Sequence, residues 1–257
     1  MTAELHLAGD GPTGVLVLSG SSGRVEVERC RVLAEAGATA ASYRWFGDAV
    51  DRVPLESFDD ALALLHERCE RLVVLGTSRG AEAALLLGAR HPEIDAVVAI
   101  SPSDVVWAAL SQERPQRSSW TSGGEPLPFV PYDDAWEPDT DPPELVGHYE
   151  HCLELYADRV AAARVPVERI AGEVVLVAGG DDRLWPSLDF AEGVVRRRQG
   201  LPTTLVTHPE AGHRVLLPGE EPPAPSHLVH GGTPTADAEL GRRLWPELVR
   251  LLDGRAP

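Results

Sequence analysis

The sequence predicts an α/β fold with a mostly parallel central sheet and helices on both faces. Two observations predict it. Short apolar or β-branched runs alternate with longer segments of helical period along most of the chain, the pattern of repeated βαβ units with right-handed crossovers. The central runs are also apolar throughout rather than alternating, as expected of parallel strands covered on both faces. With 257 residues the chain can bury a full core in one domain, and neither a repeat nor a composition shift divides it, so a single domain over 1–257 is expected.

In order, Gly14 to Gly20 reads as a buried strand. Val25 to Gly37 has helical spacing, with Val27, Cys30, Leu33 and Ala34 on one face and Gly37 as its stop. Thr39 to Trp45 is a second strand. Ser57 is expected to cap the next helix, with Asp59 and Asp60 in its first turn, where carboxylates favour the helix dipole. Leu72 to Leu75 reads as a central strand, Ala81 to Ala89 as an apolar helix and Ala96 to Ile100 as another strand. From Asp104 to about Val165 the alternation stops. Asp104 to Pro143 is rich in Pro, Gly, Ser, Trp and Asp, and a helical stretch from Glu144 to Ala163 follows. An irregular run of this length inside a compact domain is usually functional, so residues 104–165 are expected to form an inserted cap. Alternation resumes with the strand Gly172 to Ala178, the helix Leu188 to Arg198, the strand Thr203 to Thr207 and a final helix, Ala236 to Leu252, that carries Pro246.

Composition excludes several function classes. The net charge of −17 argues against a nucleic-acid partner, which needs clustered positive charge. All 23 basic residues are arginine, so mechanisms that need a lysine, such as a Schiff base or a P-loop, are ruled out. Cys30, Cys69 and Cys152 form neither a CxxC motif nor a disulfide framework, which fits a reducing compartment. Met1 to Gly11 lacks the features of a signal peptide, and no apolar run reaches the roughly 20 residues needed to cross a bilayer. The expectation is a cytoplasmic protein with no membrane partner and no cofactor.

Gly76-Thr77-Ser78-Arg79-Gly80 fits G-x-S-x-G and lies directly between a strand and a helix. That context is the nucleophile elbow of the α/β-hydrolase fold, in which a serine sits exposed on a strained turn flanked by glycines. Ser78 is thus the candidate nucleophile. The backbone N–H of Arg79, at the start of the helix, is free to face an oxyanion. A second such donor is expected from the loop Gly20-Ser21-Ser22-Gly23, with Ser21 the candidate and Ser22 the alternative. In this fold the acid and then the base follow on loops after later strands. After Gly179, Asp182 occupies the acid position of G-x-x-D, whereas Asp181 reads as a turn residue. Such a carboxylate orients the imidazole and stabilises the imidazolium. His213 follows Gly212 on the loop after the last strand and is the candidate general base; His208, beside Pro209, is the runner-up. His148, His151 and Cys152 have helical spacing but no HExxH or CxxC, so they read as helix surface and no metal is expected. In the cap, Trp107, Trp120, Phe129, Tyr132 and Trp136 are available to line an acyl pocket, as is Trp185 beside the acid.

With these residues placed, the chain resembles the acyl-CoA thioester hydrolase / bile-acid-CoA:amino-acid N-acyltransferase C-terminal domain family in its bacterial form. The segments that carry the resemblance are GTSRGAEAALLL (76–87), AVVAISPSDVV (96–106), SSWTSGGEPLPFVP (118–131), GDDRLWPS (180–187), Pro209 to Pro218, and His230-Gly231-Gly232 through Leu252. The resemblance implies an acyl-enzyme resolved by water or by an amine, with a small acyl thioester or ester as substrate. The amidating members use a cysteine nucleophile; serine here favours hydrolysis. Animal members carry an N-terminal immunoglobulin-like domain, whereas only about a dozen residues precede the first strand here. Gly80-Ala81-Glu82 replaces the family's Gly-Gly-Glu, and Arg214-Val215-Leu216-Leu217 replaces its acidic, proline-rich run, which bears on substrate more than on chemistry. Recognition of coenzyme A phosphates by so acidic a chain would need a local patch, for which Arg79, Arg114, Arg117, Arg183 and Arg214 are candidates. Without it, a carboxylesterase or a tailoring hydrolase or acyltransferase of secondary metabolism is the alternative. A non-catalytic scaffold used for binding is the third.

Overall fold

A computed structural model describes residues 5–222 and 224–254. The main sheet contains β1 (His6–Ala8), β2 (Thr13–Leu18), β3 (Ala38–Ser42), β5 (Arg71–Thr77), β6 (Ala96–Ile100), β9 (Glu173–Gly179) and β10 (Thr203–His208), in the order β1-β3-β2-β5-β6-β9-β10. Only β1 runs antiparallel; every other pair is parallel.

The apolar strands split their side chains between two helical layers. Leu16, Leu18, Leu72, Val74, Val97, Ala99, Val174 and Leu176 pack with residues of α2 (Asp59–Arg68), α3 (Arg79–Arg90) and α6 (Ser187–Arg197). Val15, Val17, Val73, Leu75, Val98, Ile100, Val175 and Val177 face the other way, toward α1 (Val27–Glu35) and α7 (Pro234–Leu252). The period-2 alternation of strand side chains therefore serves two cores, which is why no polar face interrupts these runs. Thr233 caps α7 by accepting a hydrogen bond from the Ala236 N–H at 3.1 Å, and Pro234 occupies the first turn, where its missing N–H costs nothing.

From β2 the chain moves outward to β3 and then crosses to β5 on the other side. At such a switch point the loops leave the C-terminal strand ends in opposite directions and open a crevice.

Between β6 and β9 no strand joins the main sheet. This stretch contributes β7 (Trp120–Ser122) and β8 (Glu125–Pro126), which join β4 (Val53–Pro54) in a small second sheet, and then α4 (Val146–Leu155) and α5 (Ala157–Ala163). It has a core of its own in which Val105, Trp107, Val130, Tyr149 and Cys152 meet Trp185 and Phe190.

Several elements differ from the sequence expectation. The helix expected over 144–163 is broken at Tyr156 into α4 and α5. Ser57 is not a cap: it lies in a 3-10 turn (Leu55–Phe58), and its hydroxyl donates to the Pro54 carbonyl at 2.7 Å. Strands β1, β4, β7 and β8 were not expected from the sequence; at two or three residues each they are too short to show a period.

Candidate active site

Ser78 sits between β5 and α3 with φ 57° and ψ −118°, a conformation that costs a non-glycine residue about 1–3 kcal/mol. The flanking glycines make it possible. A Cβ on Gly76 would lie 1.9 Å from the Gly80 carbonyl oxygen, and one on Gly80 would lie 2.4 Å from the carbonyl oxygens of Leu18 and Ser19. The turn is held by the Ser78 N–H, which donates to the Ile100 carbonyl at 2.8 Å, and by the Ser78 carbonyl, which accepts from Ala81 and Glu82.

The loop after β2 lies directly against this turn. A Cβ on Gly20 would be 3.2 Å from Ser78 Cβ and 3.7 Å from its Oγ. Ser21 follows at the loop tip, exposed, and the Gly23 N–H closes the turn onto the Gly20 carbonyl at 3.1 Å. The Arg79 N–H belongs to the first turn of α3, where helix geometry supplies no acceptor.

Asp182 and His213 meet beyond the C-terminal ends of β9 and β10. His213 Nδ1 is 2.8 Å from Asp182 Oδ2, and both side chains are nearly buried. The carboxylate is held from several sides. Oδ1 accepts the N–H of Leu184 at 2.9 Å and of Trp185 at 3.3 Å, and Oδ2 also accepts the Ser187 hydroxyl at 2.6 Å. Asp181 points elsewhere, accepting from the Gly232 N–H at 3.0 Å and from Arg183 Nε at 2.6 Å. The Gly232 bond, followed by Arg183, holds its carboxyl below the usual value. His208 ends β10, and its Nδ1 accepts the Glu210 N–H at 3.1 Å. His151 lies 2.9 Å from Asp133, and His148 is 3.2 Å from the Asp133 carbonyl.

The backbone of His213 is fixed as firmly as its ring. Its N–H donates to the His230 carbonyl at 2.9 Å, and its carbonyl accepts the Ser101 hydroxyl at 2.9 Å. Ser101 follows β6 directly with φ 47°, and its own carbonyl accepts Trp185 Nε1 at 3.1 Å. The Trp185 ring stands 5.8 Å from that of His213 and 5.7 Å from the Arg79 guanidinium. Ser101, Ser187 and His230 took no part in the sequence-based site. Ser101 and His230 act on His213 from other segments of the chain, which local sequence does not show, whereas Ser187 lies five residues from the carboxylate it bonds.

Among the described residues, His213 Nε2 is buried without a hydrogen-bond partner and the Ser78 hydroxyl makes no hydrogen bond. Ser78 is only 8% exposed, Asp182 8% and His213 4%. The imidazole is therefore oriented on one side by a carboxylate and left with an unused nitrogen on the other, in surroundings that exclude most water. Such a nitrogen can take a proton from a hydroxyl brought to it.

The three tryptophans expected to line a pocket are buried. Trp107 and Trp120 present no surface to solvent, and Trp185 only 1%. Trp120 stacks on Trp45 at 5.3 Å, and Trp107 packs on Tyr132 and Tyr149. Their indole N–H groups are used internally: Trp107 donates to the Ser103 hydroxyl at 2.9 Å and Trp120 to Glu82 at 2.6 Å. Packing, not the lining of an open cavity, is what these side chains do here. Surface clefts of about 510 Å³ lie elsewhere, one along β1 and α1 and one between α4 and α6, and neither touches Ser78, Asp182 or His213.

Four of the five candidate arginines are spent on ion pairs. Arg79 is buried against Glu82 at 2.9 Å and also bonds Tyr132; burial lowers its pKa, but Tyr132 and Glu82 more than offset this and hold it above the ordinary arginine value. Arg114 pairs with Asp134, Arg117 with Asp51 and Arg183 with Asp181. Arg214 donates to the Ala224 carbonyl at 2.7 Å.

Residues 53–254 match the family described as BAAT / Acyl-CoA thioester hydrolase C terminal. The chain belongs to this family. Among solved structures, this family member is similar to a dienelactone hydrolase-like promiscuous phosphotriesterase from metagenomic libraries, at 17% identity and a TM-score of 0.56 over 98% of this chain and 91% of that one. It is also similar to the esterase domain of a Rhodothermus marinus protein, at 16% identity and a TM-score of 0.53 over 96% and 92%. A puromycin-hydrolyzing peptidase of Mycobacterium tuberculosis matches at 15% identity and a TM-score of 0.58 over 97% of this chain and 35% of that one. Among curated proteins none matches the sequence. At these identities the likeness is one of fold, the α/β-hydrolase fold, and family and fold together make the chain an α/β hydrolase of the esterase and thioesterase type. No helix among the described residues is long and apolar enough to cross a membrane.

Proposed function

We propose that this protein is a serine hydrolase that cleaves a small acyl ester or thioester through an acyl-Ser78 intermediate. The observation that carries the reading is the buried pair of Asp182 and His213, 2.8 Å apart, whose free Nε2 lacks only a hydroxyl to deprotonate. His213 takes the Ser78 proton as Oγ attacks the acyl carbonyl. The tetrahedral oxyanion is met by the N–H groups of Arg79 and Ser21. His213 then gives the proton to the departing thiolate or alkoxide. Water, activated by the same imidazole, attacks the acyl-Ser78 ester; the acyl–Oγ bond breaks, His213 returns the proton to Ser78 Oγ and the acid leaves, with Asp182 orienting the imidazole throughout. A single domain with residues 104–165 as its cap fits the near-burial of all three side chains: the cap must open to admit substrate, and closure removes water.

The pairing of Arg79, Arg114, Arg117 and Arg183 with carboxylates favours one refinement. A leaving group without the phosphates of coenzyme A, such as a simple alcohol or a short thiol, suits this site better than acyl-CoA. Turnover of p-nitrophenyl esters against matched acyl-CoA thioesters tests it. Ester turnover that vanishes in Ser78→Ala, with kcat/KM at least tenfold above that for acyl-CoA, is the expected result. Preference for acyl-CoA returns the reading to a thioesterase. No turnover of either class leaves the non-catalytic scaffold.

A further inference from the structure

Arg29 stands outside the set of residues that react, yet its guanidinium bonds the flanks of the two segments that carry Ser78 and His213. It projects from α1, the helix that follows the Ser21 loop. Nη1 donates to Thr77 Oγ1 at 2.9 Å, and Thr77 is the residue before Ser78. Nη2 donates to the Val215 carbonyl at 3.2 Å, two residues after His213. Nε and Nη2 grip Glu220 through both carboxylate oxygens, at 2.6 and 2.9 Å. Glu220 in turn accepts the Leu217 N–H at 2.8 Å and so folds the stretch after His213 back on itself.

The pair is almost wholly buried, with side chains 8% and 7% exposed. Burial alone would lower the arginine and raise the carboxylate. Their mutual charge and hydrogen bonds more than offset it, so Arg29 lies above and Glu220 below its ordinary value. A bidentate fork in this setting is stiff, because every arm of the guanidinium has an acceptor and both side chains are nearly buried. Core packing has no need of such a group: a buried ion pair gives little net stability over apolar residues of the same size. What it supplies is geometry.

We propose that Arg29 and Glu220 are positioning residues that set the loop carrying His213 against the turn carrying Ser78. The approach of His213 Nε2 to Ser78 Oγ that the reaction needs depends on two loops from different strands, and the guanidinium is bonded to the flank of each. Loosening it leaves both residues in place but widens the spread of their separation. The loss falls on the chemical step rather than on substrate binding, since a misplacement of the order of 1 Å can cost about a hundredfold in rate. This inference rests on the reading of Ser78 and His213 as the reacting pair.

The test is steady-state hydrolysis of p-nitrophenyl acetate by the full chain, with thermal melts and fluorophosphonate labelling alongside. For Glu220→Gln, kcat is expected to fall about thirtyfold with KM within twofold and a cooperative melt. Thr77→Val removes only the bond to the elbow and keeps the side-chain shape; it is expected to lower kcat about fivefold, and Thr77→Ser, which restores the acceptor, to recover most of it. If Glu220→Gln does not fold, the Thr77 pair decides. Folded variants with kcat within twofold of the parent, or losses confined to KM, overturn the inference while an active, labelled parent leaves the hydrolase reading intact. A parent that neither turns over ester nor labels at Ser78 overturns both.

Discussion

The Ser187 hydroxyl donates to Asp182 Oδ2 at 2.6 Å, the same carboxylate oxygen that meets His213 Nδ1. Ser187 is the first residue of α6 and is wholly buried, so this bond has no water to replace it. It fixes the carboxylate in the plane the imidazole needs. Ser187→Ala is expected to lower kcat for ester hydrolysis about tenfold with KM unchanged, in line with the 1.5–3 kcal/mol typical of a hydrogen bond to a charged group. Steady-state kinetics on a freshly folded variant checks it.

The two neighbouring aspartates give a sharper contrast. Asp182→Asn keeps the shape but presents the imidazole with the wrong partner for its tautomer, and kcat is expected to drop by about 10³–10⁴. Asp181 bonds Gly232 and Arg183, away from the imidazole, so Asp181→Asn is expected to stay within about threefold of the parent. The opposite ranking of the two kcat values would reassign the acid.

Behind the elbow, the Arg79–Glu82 pair is 2% and 0% exposed. Glu82 also accepts Trp120 Nε1 at 2.6 Å and the Trp107 N–H at 3.3 Å, so one carboxylate anchors two tryptophans of the 101–172 stretch to α3. Glu82→Gln leaves Arg79 charged without its counter-ion, and urea unfolding is expected to show a loss of about 3–5 kcal/mol.

His230 sets a pH dependence of stability. Burial, with Arg214 and His213 nearby, pushes its pKa down from 6.5 to about 4. The unfolded chain therefore takes up the proton first, and the folded state loses stability as pH falls from 6.5 toward 4. The urea midpoint is expected to fall across that window, and to fall less in His230→Gln. Identical slopes in the two proteins would remove His230 from the account.

Much of this was legible in the sequence, for reasons that are local. The strand Ala96–Ile100 agrees with its sequence-based span residue for residue, and the strand–Ser78–helix unit announces itself because the glycines and the apolar runs lie within one short window. Gly179-x-x-Asp182 stands out because Gly179 ends a buried strand, and Gly212-His213 because it lies on the short loop after the last strand. What escaped is what depends on distance along the chain. Arg29 and Glu220 are 191 residues apart, and Ser101 reaches the His213 carbonyl across 112, so no spacing rule connects them. The burial of the tryptophans was not legible for a related reason. An aromatic residue in an irregular segment reads as exposed, and only the tertiary structure shows Trp120 packed on Trp45 and Trp107 on Tyr149.

The central claim is that Ser78 is the residue that attacks. Incubation of the folded protein with a fluorophosphonate, followed by tryptic mapping, tests it most directly, because cleavage after Arg71 and Arg79 isolates Ser78 on the peptide LVVLGTSR. The account predicts stoichiometric modification of that peptide at Ser78, and its loss in His213→Ala. Modification of another serine, or none in a protein that melts cooperatively, would contradict it.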